Sequence, residues 1–237
     1  MARLHDSYTR YPRTLLWLVR GGTRVEPGQE GDTRRVQIDS FYLSKSPVTN
    51  QQFEAFDPGY LRAATSPGDD QPAVGVSFHE ACDYCAWYGE VARKPMRLPT
   101  AREWCWACAG GTDWPPASEL DEVAWHAGNS GAYAGRLPPL AAKRHNPAGL
   151  YGMLGGVWDW TSTPVGQAAG AEGGAARLGA ARRGERRSQC GGSFRTSRQL
   201  LGPDLCRGVD VGARLDDVGF RVLKPMRVQV PSRGGEP

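Results

Sequence analysis

No apolar run in the sequence approaches the roughly 20 residues that cross a bilayer. The best candidate, Leu15-Leu16-Trp17-Leu18-Val19, is ended at once by Arg20 and Gly21-Gly22. No segment has the layout of a secretory leader, so the expected location is the cytoplasm, a virion, or outside the cell by another route. Histidine is scarce as well: His5, His79, His126 and His145 show no close pairing, which leaves no basis for a histidine-built metal cluster. Nucleic-acid motifs are also lacking. The net charge of +4 rests on arginine more than lysine and thickens over Arg177 to Arg187, without interleaved aromatics, and that run reads as a solvated basic loop.

What the chain does contain is turn formers and tryptophan. Its 31 glycines and 18 prolines predict much loop, while 40% hydrophobic content and 237 residues suffice for one large irregular domain with a real core. Aromatic weight falls on 8 tryptophans.

Strands are expected over Thr14 to Val19 and Arg35 to Leu43, the second from the alternation of Val36 and Ile38 with polar neighbours. Three capping boxes follow, Thr49-Asn50-Gln51-Gln52, Ser77-Phe78-His79-Glu80 and Thr100-Ala101-Arg102-Glu103, each opening a helix. Phe53 and Phe56 supply the buried face of the first. Ala81, Cys85 and Tyr88 form a stripe on the second, which runs to about Ala92. Trp104 and Cys108 share a face of the third, which stops at Gly110-Gly111. From Asp113 to Pro147 turn signals are dense, and ordered loops of that length tend to be functional. Gly149 to Thr161, GLYGMLGGVWDWT, reads as a strand in which Trp158 and Trp160 form a heavy aromatic face, more core than ligand platform. Gly166 to Gly184 is rich in Ala, Gly and Arg and is the expected flexible insertion. The domain therefore divides into an N-terminal strand region (1–35), the insertion (165–188) and a polar, aperiodic displayed segment (189–221).

Cys82, Cys85, Cys105 and Cys108 form two C-x-x-C pairs with a separation like that of a zinc ribbon. Both pairs fall in helical segments, where ribbon cysteines do not sit, so the leading reading is small buried core residues. Zinc and a redox or disulfide role stand as alternatives. Cys190 and Cys206 complete the set of 6.

The order of motifs resembles the formylglycine-generating enzyme, or sulfatase-modifying-factor, family over Val36 to Leu223. The residues that carry the likeness are Pro47-Val48-Thr49-Asn50, Pro72-Ala73-Val74 with Val76-Ser77, Arg97-Leu98-Pro99-Thr100 with Glu103-Trp104, GLYGMLGGVWDWT, Gly191-Gly192-Ser193-Phe194 and Gly219-Phe220-Arg221. The resemblance implies an α+β, irregular C-type-lectin-like fold: two to three helices, small twisted antiparallel sheets, much ordered loop and adjacent chain ends.

Function does not follow from fold. The oxidase members are expected to hold copper through two cysteines, and the matching positions here are Thr196 and Leu201. Neither side chain replaces a soft thiolate. Cys190 and Cys206 fall out of that register, and the histidines do not form the iron site of a related sulfoxide-synthase branch. A family calcium site retains only the carboxylate of Asp159, because its asparagine position is Gly156, so Asp159 is a weak calcium candidate. No cofactor is called for.

The chain also resembles the variable proteins of diversity-generating retroelements, often phage- or prophage-borne, which share this scaffold. In them the segment between Gly-Gly-Ser and Gly-Phe-Arg is rewritten through adenines of a template. Substituting the adenines of AAC codons reaches every residue between Arg195 and Asp217 except Gln199. The expected function is non-enzymatic binding of a protein ligand by Arg195, Thr196, Ser197, Arg198, Leu200, Leu205, Arg207, Val209, Leu215 and Asp216. Trp158, Trp160, Gly191, Gly192, Ser193 and Phe194 form the scaffold, with Ser193 bonding backbone. The alternative is a formylglycine-generating-type oxidase or sulfatase-maturation factor with an altered active site, working through Ser193, Trp160 and Cys190 or Cys206.

Overall fold

Local sequence rules place the helices. In the computed structural model, which describes residues 14–27, 32–112, 114–166 and 184–226, helices α1 (Asn50–Phe56), α2 (Phe78–Ala92) and α3 (Ala101–Ala109) each begin at a completed capping box. Thr49, Ser77 and Thr100 accept from the N–H three residues on, while Gln52, Glu80 and Glu103 reach back to the cap's own N–H. Two otherwise orphaned donors are satisfied at each start. Helix α3 ends at Gly110 with φ 62°, as its sequence leads one to expect. Helix α2 ends with Arg93 in the left-handed conformation, φ 52°. A one-turn helix, α4 (Leu120–Val123), lies in the turn-rich stretch.

The N-terminal region holds β1 (Leu16–Val19), β2 (Gly22–Pro27), β3 (Thr33–Ile38) and β4 (Phe41–Ser44). The single strand expected over Arg35 to Leu43 is thus two strands. Asp39-Ser40 makes a corner against Gly21, whose N–H donates to Ser40 Oγ at 2.9 Å, and a Cβ on Gly21 would lie 2.2 Å from the Ile38 carbonyl oxygen. Strand β3 then pairs with β2 as a separate ribbon, while β4 joins another sheet. Alternation alone does not reveal a corner, because both halves keep their apolar residues inward.

The larger sheet has the order β7-β6-β5-β8, with β5 (Trp158–Pro164), β6 (Arg186–Cys190), β7 (Cys206–Asp210) and β8 (Val218–Phe220). Its pairs are antiparallel except β5 with β8. Strand β9 (Leu223–Pro225) returns to β4, so β1 and β9, the first and last strands among the described residues, flank it in one sheet. Most of the expected insertion, residues 167–183, lies outside the described residues. Its far end is not loop: Arg186 to Ser188 belong to β6, bonded to β7. The displayed segment likewise contains two strands, β7 and β8, and the end of β6.

Two core clusters flank that sheet. One gathers Trp104, Cys105, Cys108, Leu43, Leu154 and Leu223, the other Phe53, Tyr84, Trp158, Trp160, Phe220 and Val222. Trp158 and Trp160 are both buried, and Trp160 Nε1 donates to the Val76 carbonyl at 2.9 Å. Among the described residues no helix is long and apolar enough to cross a membrane.

Between the clusters lies an ion pair with no exposure at all. Arg221 Nε donates to Asp159 Oδ2 at 2.7 Å, and Trp104 Nε1 donates to the same oxygen at 2.9 Å. Removing one member of such a pair strands a buried charge, so Asp159→Ala is expected to cost about 3–5 kcal/mol in guanidinium unfolding. Replacing both members with apolar residues, Asp159→Leu with Arg221→Met, should recover much of that loss. A single-variant cost under about 1 kcal/mol would contradict a fully desolvated pair.

Candidate recognition surface

The displayed segment starts where β6 ends. Cys190 and Cys206 are cross-strand partners, and a disulfide joins them across 16 residues of sequence. They are therefore not free thiols awaiting a metal or substrate, and the oxidase alternative loses both in this state. Gly191 (φ 104°) and Gly192 (φ 80°) follow. A Cβ on Gly191 would meet the Met153 carbonyl oxygen at 2.7 Å, and one on Gly192 would meet Leu201 Cδ2 at 2.5 Å. Only glycine fits both the left-handed backbone and these approaches.

Ser193 closes the frame, and beside the backbone contact expected of it the side chain makes a second bond. Its Oγ donates to Asp217 Oδ2 at 2.8 Å, joining the two ends of the segment, and accepts from the Arg195 N–H at 3.3 Å. Thr196 Oγ1 accepts from the Ser193 N–H at 2.8 Å. The first expected copper position thus holds a hydroxyl that is already engaged, while the second, Leu201, packs against the core cluster around Trp104. These donors do not fit a copper(I) ion.

The ten candidate contact residues divide. Arg195, Ser197, Leu200 and Asp216 are exposed, Leu200 to 62%. Arg195 lies 4.8 Å over the Phe194 ring and grips Asp216 with two hydrogen bonds, of 2.5 and 3.0 Å. That hydrogen-bonded guanidinium holds the Asp216 carboxyl below its ordinary range. Ser197 Oγ bonds Gln199. Leu205, Val209 and Leu215 are only partly buried but pack on the cluster around Trp160, and Arg207 stacks 4.2 Å above Trp158 with its Nε on Gln189 Oε1 at 3.0 Å. Thr196 and Arg198 are intermediate. The structure brings Arg195 and Asp216 together and turns the later hydrophobic candidates partly inward.

Sequence reasoning missed the buttress under the first half of the segment. His126, 2% exposed, accepts at Nδ1 from the Gly128 N–H (3.1 Å), so Nε2 carries the proton toward Asp121 Oδ1 at 2.6 Å. Arg198 Nε reaches the same oxygen at 3.2 Å. His126 and Arg198 hold the Asp121 carboxyl below its usual range. Ala127 N–H bonds the Thr196 carbonyl, and Ser130 Oγ bonds the Phe194 carbonyl. On the other side Thr65 Oγ1 holds the Asp216 carbonyl, and Arg214 pairs with Glu80 of the α2 cap. Turn density between Asp113 and Pro147 signalled a functional loop, but nothing local linked it to Arg198.

Two metal readings are corrected. Asp159 is committed to Arg221 and Trp104, with only Oδ1 lacking a partner among the described residues, too few oxygens for calcium. The two C-x-x-C pairs do not converge on a zinc site: all four thiols are free, and three of them are buried. Burial pushes the Cys82 and Cys105 thiols up to about 12, and it also raises those of Cys85 and Cys108 well above the ordinary thiol range. Core residues they are, except that Cys105 lies against the disulfide, its sulfur 3.9 Å from that of Cys206.

A family model described as the sulfatase-modifying factor enzyme 1-like domain matches residues 5–226. The formylglycine-generating enzyme of Bos taurus is 26% identical over 205 residues, covering 59% of this chain and 53% of that protein. The chain spans about half the length of the first curated relatives it matches. The inactive C-alpha-formylglycine-generating enzyme 2 of Mus musculus is 33% identical over 212 residues, 62% of this chain and 67% of that one. Among solved structures, Treponema denticola variable protein 1 superposes with a TM-score of 0.71 at 18% identity, over 89% of this chain and 94% of that one. PvdO from Pseudomonas aeruginosa gives 0.71 at 20% identity with the same coverage. At such identities the likeness is one of fold.

Closing a loop of about 15 residues is worth about 3 kcal/mol of chain entropy in the unfolded state. Reduction of Cys190–Cys206, or Cys190→Ala, should therefore lower the urea midpoint by that equivalent. Equal midpoints for the oxidised and reduced chain would mean that the bond does not brace the segment.

Proposed function

The chain belongs to the sulfatase-modifying factor enzyme 1-like domain family, and from that premise we propose that it is a non-enzymatic member whose segment 195–217 is a diversified protein-recognition surface. One observation carries the reading: the segment is braced at its base and exposes side chains close beside that brace, over 195–200 and at Asp216. Ser193–Asp217 and Cys190–Cys206 hold its ends, while Arg195, Ser197, Leu200 and Asp216 stand in solvent. A scaffold of this kind lets the exposed side chains change without disturbing the frame, because the bonds that fix the backbone come from Ser193, Asp217, Thr196 and the disulfide and not from Arg195, Ser197, Leu200 or Asp216.

Contact chemistry follows from the exposed set. Leu200 offers apolar area, Arg195 a forked donor and Asp216 an acceptor, a mixture suited to the centre and rim of a protein interface. The Arg195–Asp216 pair is solvent-exposed and of little worth to folding, so it can open toward a partner at small cost. The reading without catalysis draws on Thr196 and Leu201 at the expected copper positions, and on a relative, 33% identical, that is named inactive.

Sequencing the 3′ end of the gene and its flanking DNA across a population of the source organism tests the reading. The expected result is a near-copy of the region, rich in AAC codons, with variation confined to the matching codons of 195–217. A uniform segment with no such copy overturns diversification. For the surface itself, the triple variant Arg195→Ala, Leu200→Ala, Asp216→Ala should stay within about 1–2 kcal/mol of the parent in stability. It should lose at least 10-fold in affinity for a partner selected against the parent, as removal of an interface anchor does. Unchanged affinity would move recognition elsewhere.

A further inference from the structure

The outer strands of the sheets are closed by different devices, with one exception. On β9 the N–H and C=O of Leu223 both bond Arg97, and Pro225 ends the strand without an N–H. On β8 the Phe220 carbonyl takes the Val48 N–H. On β7 the Arg186 side chain caps the Gly208 carbonyl. The β2–β3 ribbon carries Arg24, Glu26, Arg34 and Arg35, charges of the kind that keep an edge from pairing.

Strand β1 has none of these. Its sequence, LWLV, holds no charge, proline or glycine, and among the described residues it pairs with β4 alone. Two bonds fix the phase of that ladder: Lys45 N–H reaches the Leu15 carbonyl, and Ser44 N–H reaches the Val222 carbonyl on the opposite side of β4. Trp17 and Val19 therefore bond β4, and the N–H and C=O of Leu16 and Leu18 face outward. Among the described residues those outward groups have no partner. Tyr88 Oη accepts from the Thr14 N–H at 3.3 Å, and Trp106 Nε1 donates to the Arg20 carbonyl at 2.9 Å. The strand is thus held at both ends and open between them. Leu15, Trp17 and Leu18 are 68%, 47% and 39% exposed.

We propose that β1 is the interface of a two-fold homodimer, in which β1 pairs antiparallel with β1 of a second copy and joins the two β1-β4-β9 sheets into one.

The free groups select the register. Leu16 bonds Leu18 of the copy and Leu18 bonds its Leu16, which uses every outward group. Trp17 then meets Trp17 across the axis as a non-hydrogen-bonded pair, with Cα atoms about 4.5 Å apart. On one face Leu15 lies opposite Val19, and on the other Leu16 lies opposite Leu18, so each exposed apolar side chain of the strand meets an apolar one of the copy. A slip of one residue would set groups already bonded to β4 against the partner and lose the ladder. Arg20 falls opposite Thr14, so like charges do not oppose each other. A second copy fits this edge because the strand is its own complement, as an isologous interface requires.

Trp17 is set for the contact. Its indole rests on Gly149, where a Cβ would come within 2.6 Å of Nε1, and Lys45 Nζ stands 4.9 Å from the ring centre. Little side-chain freedom is left to lose on binding. The interface is small beside the roughly 1,200 Å² at which standard interfaces begin, so the expected dissociation constant is on the order of 100 µM.

Sedimentation equilibrium of the oxidised full chain from about 10 µM to about 1 mM should show monomer passing to dimer and no larger species. Amide exchange at Leu16 and Leu18, followed by NMR, should slow several-fold over that range. Leu18→Lys should weaken association at least about 10-fold, as lysine does on an edge strand. Leu61→Lys, in the loop after α1 and 87% exposed, should not. Cys82 is the one free cysteine among the described residues that is not buried. In a Cys82→Ser background, Trp17→Cys should form an intermolecular disulfide on mild oxidation, because the paired Cα distance suits one, and Leu18→Cys should not. Near-UV circular dichroism checks that each variant is folded. A chain still monomeric at about 1 mM, parent-like association of Leu18→Lys, or cross-linking through Leu18→Cys in place of Trp17→Cys overturns the dimer. So does slow exchange at Leu16 and Leu18 in the dilute monomer, which would give the edge to residues 1–13 or 227–237 of the same chain.

Discussion

The buried bond between Arg221 and Asp159 is the constraint on which the rest of the molecule hangs. Both side chains are at zero exposure, and the guanidinium spends its remaining donors on main-chain carbonyls. Nη1 reaches Ser44 and Lys45 at 3.3 Å, and Nη2 reaches Tyr151 at 2.5 Å and Gly152 at 2.8 Å. One side chain thereby ties the end of β4, the glycine-rich 149–156 stretch and β5, while Trp104 brings α3 to the same carboxylate. Arginine suits this place because its fork keeps five donors at fixed angles and stays charged when buried. Burial pushes the Asp159 carboxyl up, and Arg221 and Trp104 pull against it.

From that node segment 195–217 inherits its position. Strand β5 carries Asp159 and pairs on one side with β6 and on the other with β8. The segment leaves β6 and returns through β8, so both of its ends are fixed on strands that flank the same carboxylate. Glycines at 191 and 192 let the chain turn sharply off β6, and the Ser193–Asp217 bond shuts the gap before β8 begins. Rigidity at the ends coexists with exposure of Arg195, Ser197, Leu200 and Asp216 close beside them, while Leu205, Val209 and Leu215 rest on the core between.

Much of the helical structure was legible because its determinants lie three or four residues apart. Thr49, Ser77 and Thr100 announce helices through partners three positions on, and all three boxes form. The core roles of Trp158 and Trp160 were legible for the same reason, since strand alternation is local. What stayed hidden depends on distant pairing. His126, Asp121 and Arg198 meet although Asp121 and Arg198 are 77 residues apart. Arg221 was visible as part of a motif, but a charged residue at zero exposure is identifiable only once its partner 62 residues away is known. Six cysteines permit many pairings, and only the β6–β7 register puts Cys190 opposite Cys206. The inward lean of Leu205, Val209 and Leu215 was missed because composition does not distinguish a displayed leucine from one resting on a tryptophan.

The scaffold separates two properties that an enzyme of this family is expected to combine. The Gly-Gly-Ser turn builds geometry, and thiolates at the positions of Thr196 and Leu201 would build chemistry. Here the turn is intact: Gly191 still fits beside Trp104, and Ser193 still closes onto Asp217. Thr196 has been recruited to that geometry, its hydroxyl accepting from the Ser193 N–H, and Leu201 has been recruited to the core. Both substituted residues therefore stabilise the frame that a reactive pair would have used. At these two positions the side chains support the turn from within and offer no soft ligand at its surface.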